Sequence, residues 1–164
     1  MKGVRGMKFK EVVKEAFVVV GYSAPGSWGE DFAYPIPCLW EKAKEFITKN
    51  QVDQIVGVCL PPRSDDYYYT CGFEMDTVTF RRMRKDLTVH TFPKQKYVVF
   101  KHIGPSKNIP ATYHKLWKVF DKEGYLIEKG MPEIEVVDAR LFGKEEDEEY
   151  EMDIWIPVGE HPLE

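Results

Sequence analysis

Hydrophobic and polar residues follow the same order twice along the chain. In each copy an apolar run rich in β-branched residues is followed by a Gly/Pro-rich turn, a segment with helical spacing and two further apolar runs. The predicted strands lie at 18–22, 55–60 and 67–75 in the first copy and at 97–103, 134–142 and 148–158 in the second. This order predicts an α+β fold, a tandem β-α-β-β arrangement with two helices packed on an antiparallel sheet.

The predicted helix of the second copy has an apolar face and recognisable ends. Its apolar residues recur at helical spacing, and lysines occupy positions between them. Asn108 and Pro110 are typical of a helix start, and Gly124 is typical of a helix stop. Trp40 in the first copy and Trp117 in the second lie at apolar helix positions. We assign both first to the core and second to the wall of a pocket.

Short identities between the two copies indicate an internal duplication. A Leu-Trp pair at 39–40 recurs at 116–117, which is 77 positions later. Glu74 in GFEMD and Glu151 in YEMDIWIPV are also 77 positions apart. Two matches at one offset favour a repeated unit over a chance resemblance.

A third match has a slightly different offset. The run FVVVGYSAPGS from Phe17 resembles YVVFKHIGPSK from Tyr97, which begins 80 positions later. We therefore interpret residues 1–164 as one domain with two halves, about 12–76 and 92–158. The halves are expected to meet about a pseudo-twofold axis.

Composition narrows the classes of function. The 164 residues carry a formal net charge of −4, which argues against nucleic acid as a direct partner. Three cysteines without a CxxC pair are typical of reduced thiols in a cytoplasmic protein. The histidines and cysteines share no metal-ligand spacing, and the chain has no nucleotide-binding motif, so we expect neither metal nor cofactor. Apolar runs are too short to cross a membrane.

The stretch YEMDIWIPV raises the question of what its acidic residues face. Side chains alternate between the two faces of a strand. One face would carry Met152, Ile154 and Ile156 toward the helices, and the other would carry Glu151, Asp153 and Trp155. A solvated sheet face explains the carboxylates but explains the large aromatic side chain poorly. The alternative is an aromatic-lined pocket between the halves, to which Glu74 and Tyr68 of the first half would also point.

Such a pocket has definite chemistry. A carboxylate among aromatic rings loses hydration, so its pKa rises. It can then pair with a desolvated cation, which the ring faces also attract, or act as a general acid or base. The predicted ligands are flat, apolar and either cationic or electrophilic.

The segments HIGPSKNIPATYHKLW, GMPEIEVVDA and YEMDIWIPV, in this order, resemble the gyrase-inhibitor-like family. That family forms the effector-binding domain of AraC-type and MerR-type multidrug-responsive regulators. The resemblance implies a duplicated β-α-β-β fold that binds bulky aromatic compounds, often cations, in a cleft with an acidic residue at its base. Some free-standing members of the family hydrolyse cyclopropane-bearing genotoxins.

The candidate site combines this resemblance with the strand pattern. Glu151 is the favoured carboxylate because of its reach and its partner in the repeat, with Asp153 and Glu135 as alternatives. His102 ends a strand and is assigned first to a structural role and second to the pocket. The other candidate ligand-binding residues are Glu74, Tyr68, Tyr113, Trp155, Trp117, Trp40 and Tyr34.

Three functions remain open at this point. The first is a stand-alone cytoplasmic protein that captures hydrophobic aromatic or cationic compounds, with any DNA-binding partner on a separate chain. The second is a hydrolase in which Glu151 is the general acid or base and Tyr113 or Tyr68 assists. The third is an inhibitor that binds gyrase through an exposed face. The sequence does not set the oligomeric state.

Overall fold

Two helices and eight strands make up the described part of the chain. The computed structural model describes residues 7–28, 35–49, 52–75 and 86–159. The helices are α1 (Ile36–Lys49) and α2 (Ile109–Lys122). The strands are β1 (Phe9–Lys14), β2 (Phe17–Ser27), β3 (Gln54–Leu60), β4 (Asp66–Met75), β5 (Thr88–Phe92), β6 (Gln95–Ile103), β7 (Ile134–Asp138) and β8 (Glu151–Pro157). The predicted α+β class is confirmed.

All eight strands belong to one antiparallel sheet, in the order β1-β6-β8-β7-β3-β4-β2-β5. The two halves meet at its centre, where β3 pairs with β7. The outermost strands are exchanged between the halves: β1 pairs with β6, and β5 pairs with β2. Strands β1 and β5 were not among the six predicted strands, and their pairing ties each half to the other at both edges.

The sheet has a helix side and a helix-free side. On the helix side, Met152, Ile154 and Ile156 of β8 are buried against Leu116 and Phe120 of α2, as the alternation predicts. The helix-free side has its own buried cluster, contributed by β2, β3, β5, β6 and β7. Complete burial of such a side chain contributes about 1.5–3 kcal/mol. Both sides of the central strands are therefore apolar core.

The sheet curves around the helix-free cluster. Lys14 lies at the end of edge strand β1 and forms a 3.0 Å ion pair with Glu74 of β4. Strand β4 lies near the opposite end of the strand order. The Nζ of Lys14 also lies 4.6 Å from the centroid of the Phe17 ring. This curvature explains how apolar side chains are buried without a covering helix.

Helix α2 has the predicted ends, whereas the strand after it is shorter than expected. The helix begins after Asn108, with Pro110 in its first turn, and Gly124 follows it at φ +76°. The predicted strand over 134–142 stops at Asp138. The side chain of Asp138 accepts a hydrogen bond from the Arg140 backbone nitrogen, and a 3₁₀ turn begins there.

The structural register of the repeat differs from the 77-residue offset. Val19 of β2 pairs with Glu74, while Val99, which is 80 positions later in β6, pairs with Trp155. Glu74 and Trp155 are thus equivalent, and the Glu74–Glu151 match is out of register.

The helices are shifted in the same way. Each has 14 residues, and their first residues, Ile36 and Ile109, are 73 positions apart. The structural equivalent of Trp40 is therefore Tyr113, one helical turn before Trp117.

Candidate functional site

Glu135 lies at the centre of the sheet on its helix side. It belongs to β7 and pairs with Gly57 of β3, at the junction of the two halves. Its neighbours Ile134 and Val136 point to the helix-free cluster, so the alternation places the carboxylate beneath the helices. The side chain remains partly accessible to solvent. A recessed carboxylate thus lies where the pseudo-twofold halves meet.

Aromatic side chains surround this carboxylate. The Tyr69 hydroxyl donates to Glu135 Oε1 at 2.9 Å, and Trp40 Nε1 donates to the Tyr69 hydroxyl oxygen at 3.1 Å. Tyr113 of α2 also lies close enough to the Glu135 side chain to lower its pKa. The chain Trp40–Tyr69–Glu135–Tyr113 therefore connects both helices to the central strands.

Gly57 provides the space for this arrangement. A Cβ atom at position 57 would lie 2.8 Å from Tyr69 Cζ and 2.9 Å from Trp40 Cζ2, both closer than carbon atoms normally approach. The absence of a side chain on β3 lets both rings lie against the sheet beside Glu135.

The surroundings of Glu135 disfavour the charged form of its carboxyl group relative to a carboxyl group in water. Burial raises the pKa of Glu135 above its usual value, and nearby Glu133 acts in the same direction, while hydrogen bonds from Tyr69 and Tyr113 oppose the shift. Burial also raises the pKa of both tyrosine hydroxyls well above their usual range, so they remain donors at neutral pH. Within the described ranges, no lysine or arginine is among the groups that shift Glu135.

The acidic residues of the final strand lie on the other side of the sheet. Lys101 Nζ is 3.2 Å from Glu151 Oε2 and 3.2 Å from Asp153 Oδ1, and Arg140 also pairs with Glu151. Glu74 is likewise paired, with Lys14. The structure does not bring these carboxylates together with Glu135. A solvated, ion-paired sheet face accounts for them.

The aromatic candidates divide in the same way. Tyr68 is 61% exposed and Trp155 faces the helix-free cluster, so neither lies beside Glu135. Tyr113 and Trp40 do lie there, whereas Trp117 makes an edge contact with Phe120 at 5.5 Å.

The remaining candidates do not join the site. His102 is buried and lies 2.6 Å from Thr112 Oγ1 and 2.9 Å from the Gly104 carbonyl oxygen, which fixes the turn before α2. Its first assignment, to a structural role, agrees with these contacts. Tyr34 lies outside the described residues.

Sequence reasoning missed Tyr69 and Gly57. The strand pattern placed the pocket on the face of Tyr68, and its neighbour Tyr69 points to the opposite, helix-covered side of β4. The available signal was Glu135 itself, a single carboxylate within the run IEVV, whose apolar neighbours require burial on both sides of the strand.

Other kinds of site receive no support. Within the residues that the structure describes, no cluster of histidine, cysteine, aspartate and glutamate is arranged to hold a metal ion. None of the described helices is long and apolar enough to cross a membrane.

Comparison with known proteins places this chain in a family. The family model described as the GyrI-like small molecule binding domain matches residues 7–159. The transcriptional regulator BrlR of Pseudomonas aeruginosa is 27% identical over 159 residues, which represent 94% of this chain and 57% of that protein. The chain therefore spans little more than half the length of this curated relative.

Solved structures share the fold. SAV2435 bound to tetraphenylphosphonium has a TM-score of 0.72 at 18% identity, and the match covers 93% of this chain and 94% of that one. The EcmrR C-terminal domain has a TM-score of 0.67 at 14% identity, covering 94% of this chain and 99% of that one. The resemblance predicted from the three sequence motifs is confirmed, and the chain belongs to the GyrI-like small molecule binding domain family.

Proposed function

We propose that this protein captures lipophilic aromatic cations at Glu135, between its two halves. The observation that carries the proposal is a recessed carboxylate held by Tyr69 and Tyr113 beside Trp40. The bound tetraphenylphosphonium of SAV2435, a protein of the same fold, supports a ligand of this class. The protein would act in the cytoplasm without contacting nucleic acid directly, in keeping with its net charge of −4.

The charges around Glu135 carry the physical case, because no lysine or arginine of the described ranges is among the groups that shift its pKa. A carboxylate removed from water is costly unless it is neutralised or paired. Burial makes the Glu135 carboxylate easier to protonate, so a proton can offset part of this cost. A lipophilic cation is weakly hydrated and can replace that proton, while the faces of the surrounding rings add cation–π attraction. The same rings offer little to a hydrophilic cation, which would lose its hydration shell.

Titration with tetraphenylphosphonium tests this proposal. Fluorescence of the four tryptophans, which include Trp40, detects binding, and calorimetry gives the affinity. Glu135→Gln keeps the shape of the side chain and removes its charge, so affinity should fall at least tenfold, or about 1.4 kcal/mol. Glu151→Gln is the matched control on the other side of the sheet and should leave affinity unchanged. Loss of binding in the Glu151 variant with retention in the Glu135 variant would refute the assignment.

A second function, hydrolysis of cyclopropane-bearing electrophiles, uses the same groups. Two tyrosine hydroxyls flank a carboxyl group whose pKa is raised, which is a suitable set for general acid–base catalysis. Protonated Glu135 would donate its proton to one carbon of the breaking C–C bond, and water would add to the carbon left electron-deficient. The added water would then return a proton to the Glu135 carboxylate, which restores the acid and gives a net gain of one water molecule.

Mass spectrometry separates the two functions. Incubation of such electrophiles with a trace of protein should give many turnovers of a product heavier by one water, and Glu135→Gln should abolish it. Recovery of every compound unchanged, together with binding of tetraphenylphosphonium, would leave capture as the function and exclude hydrolysis of those compounds.

A further inference from the structure

Arg63 connects the first half of the protein to the segment that carries Glu135. It lies in the turn between β3 and β4, at a φ of +55° that is unusual for a residue other than glycine. Its guanidinium donates to the Lys129 carbonyl oxygen at 2.8 Å, to the Met131 carbonyl oxygen at 3.2 Å and to Glu133 Oε1 at 2.7 Å. All three acceptors belong to the second half, in the loop that leads into β7.

Glu133 is a second carboxylate on the same side of the sheet as Glu135. It is two positions before Glu135, so the alternation of side chains places both on the helix side. Continuing the β3–β7 register by one residue places Glu133 opposite Cys59, beyond the pair formed by Val58 and Ile134. The side chain of Glu133 is 14% exposed. Its charge raises the pKa of Glu135, Tyr113 and Cys59, which places it among these groups.

The two carboxylates differ in their partners. Glu133 is paired with a permanent cation, because an arginine remains charged at any working pH. Glu135 is held by tyrosine hydroxyls. Pair formation thus leaves Glu135 as the carboxylate that can pair with a ligand cation. A second positive charge on a ligand would meet a carboxylate, Glu133, that already has a cationic partner in the Arg63 guanidinium at 2.7 Å.

We propose that Arg63 determines charge specificity at the Glu135 site: by pairing with Glu133, it limits the site to one available negative charge and so selects monocations over dications. This inference rests on the proposed function. Removing the arginine charge would expose a second carboxylate beside the first. At protein-like dielectric, two charges a few ångströms apart interact strongly enough to change affinity tenfold or more.

A matched pair of ligands tests the proposal. N-Methyl-4-phenylpyridinium and N,N′-dimethyl-4,4′-bipyridinium share a biaryl shape and carry one and two positive charges. The measured quantity is the ratio of their dissociation constants, by calorimetry at neutral pH. The wild-type protein should prefer the monocation. Arg63→Gln should shift the ratio about tenfold toward the dication, equivalent to about 1.4 kcal/mol.

Three further variants separate charge from scaffolding. Arg63→Lys keeps the charge with fewer hydrogen bonds, so both affinities can fall while their ratio stays at the wild-type value. Arg63→Gln combined with Glu133→Gln should restore the wild-type ratio. Glu133→Gln alone leaves Arg63 unpaired, so the ratio should shift further toward the monocation. This last variant tests the proposal even if Arg63→Gln fails to fold.

The outcomes distinguish this inference from the proposed function. Equal ratios in the wild-type protein, Arg63→Gln and Glu133→Gln would overturn the role of Arg63 while leaving capture at Glu135 intact. If Glu135→Gln binds both ligands as well as the wild-type protein does, the proposed function fails and this inference fails with it.

Discussion

Replacement of Gly57 by alanine is the most direct test of how the site is built. The added Cβ would lie 2.8 Å from Tyr69 Cζ and 2.9 Å from Trp40 Cζ2, so both rings must move. Moving Tyr69 breaks its 2.9 Å hydrogen bond to Glu135 and its 3.1 Å hydrogen bond from Trp40. The substitution thus perturbs packing and the hydrogen-bond chain together.

The magnitude follows from these two effects. Overpacking costs about 1–3 kcal/mol, and loss of a hydrogen bond to an ionisable group costs about 1.5–3 kcal/mol. Alanine has an opposing advantage over glycine of about 0.4–1 kcal/mol, because it reduces the entropy of the unfolded chain. The free energy of unfolding should therefore fall by about 1.5–5.5 kcal/mol, and tetraphenylphosphonium affinity should fall with it.

Urea unfolding of Gly57→Ala and a matched control measures the effect. Gly130→Ala is the control, because a Cβ atom there meets nothing within 4 Å. It should change the unfolding free energy by less than about 1 kcal/mol, in either direction. If Gly57→Ala is as stable as the wild-type protein, the rings are not held against the sheet as described, and the account of the site is wrong.

Two further predictions concern the Glu135 carboxyl group. Because the folded-state pKa of Glu135 is raised, its contribution to stability is fully present below the usual glutamate pKa and is lost as the pH rises through the raised value. Urea unfolding across this pH range should therefore show a free energy of unfolding that falls with pH, and Glu135→Gln should remove this fall. Cation affinity should have the opposite trend, rising with pH as the proton is released. Tyr69→Phe removes a hydrogen bond that lowers this pKa, so the pH midpoint of tetraphenylphosphonium binding should move upward, and an unchanged midpoint would contradict the role of Tyr69.

The general fold could be predicted because its signals are local. Apolar periodicity located both helices and six strands, and Gly124 marked the end of α2. Strands β1 and β5 were missed because they are stabilised by pairing with the opposite half, which no local pattern reports. The edge strands are the elements whose structure depends most on tertiary contacts.

The site was predicted only in part, because its location depends on which side of the sheet is covered. The faces of β8 were assigned correctly, with Met152 and its neighbours toward the helices. The strand pattern predicted a pocket on the carboxylate-bearing face of β8, whereas the structure places Glu135 and its aromatic neighbours on the helix side. Curvature buries the helix-free side around its own cluster, and ion pairs with Lys14 and Lys101 satisfy the acidic residues there. Such curvature follows from pairing across the whole sheet and is not visible in any single strand.

The repeat also explains why the site has one available carboxylate. At the junction, Ile55 pairs with Val137 and Gly57 pairs with Glu135. The pseudo-twofold axis relates each residue of β3 to the residue of β7 that lies 80 positions later in the chain. Ile55 is therefore the structural equivalent of Glu135. A symmetric junction would hold two carboxylates as diagonal neighbours, with Cβ atoms about 7–8 Å apart.

Two such carboxylates would each raise the pKa of the other and favour sharing protons over binding a single cation. Instead Ile55 is fully buried and supplies apolar packing, while Glu135 supplies the charge. Divergence of the two halves thus converts a symmetric scaffold into a site with one apolar and one acidic wall. The proposed capture of a lipophilic cation would use both walls, since one would interact with its surface and the other with its charge.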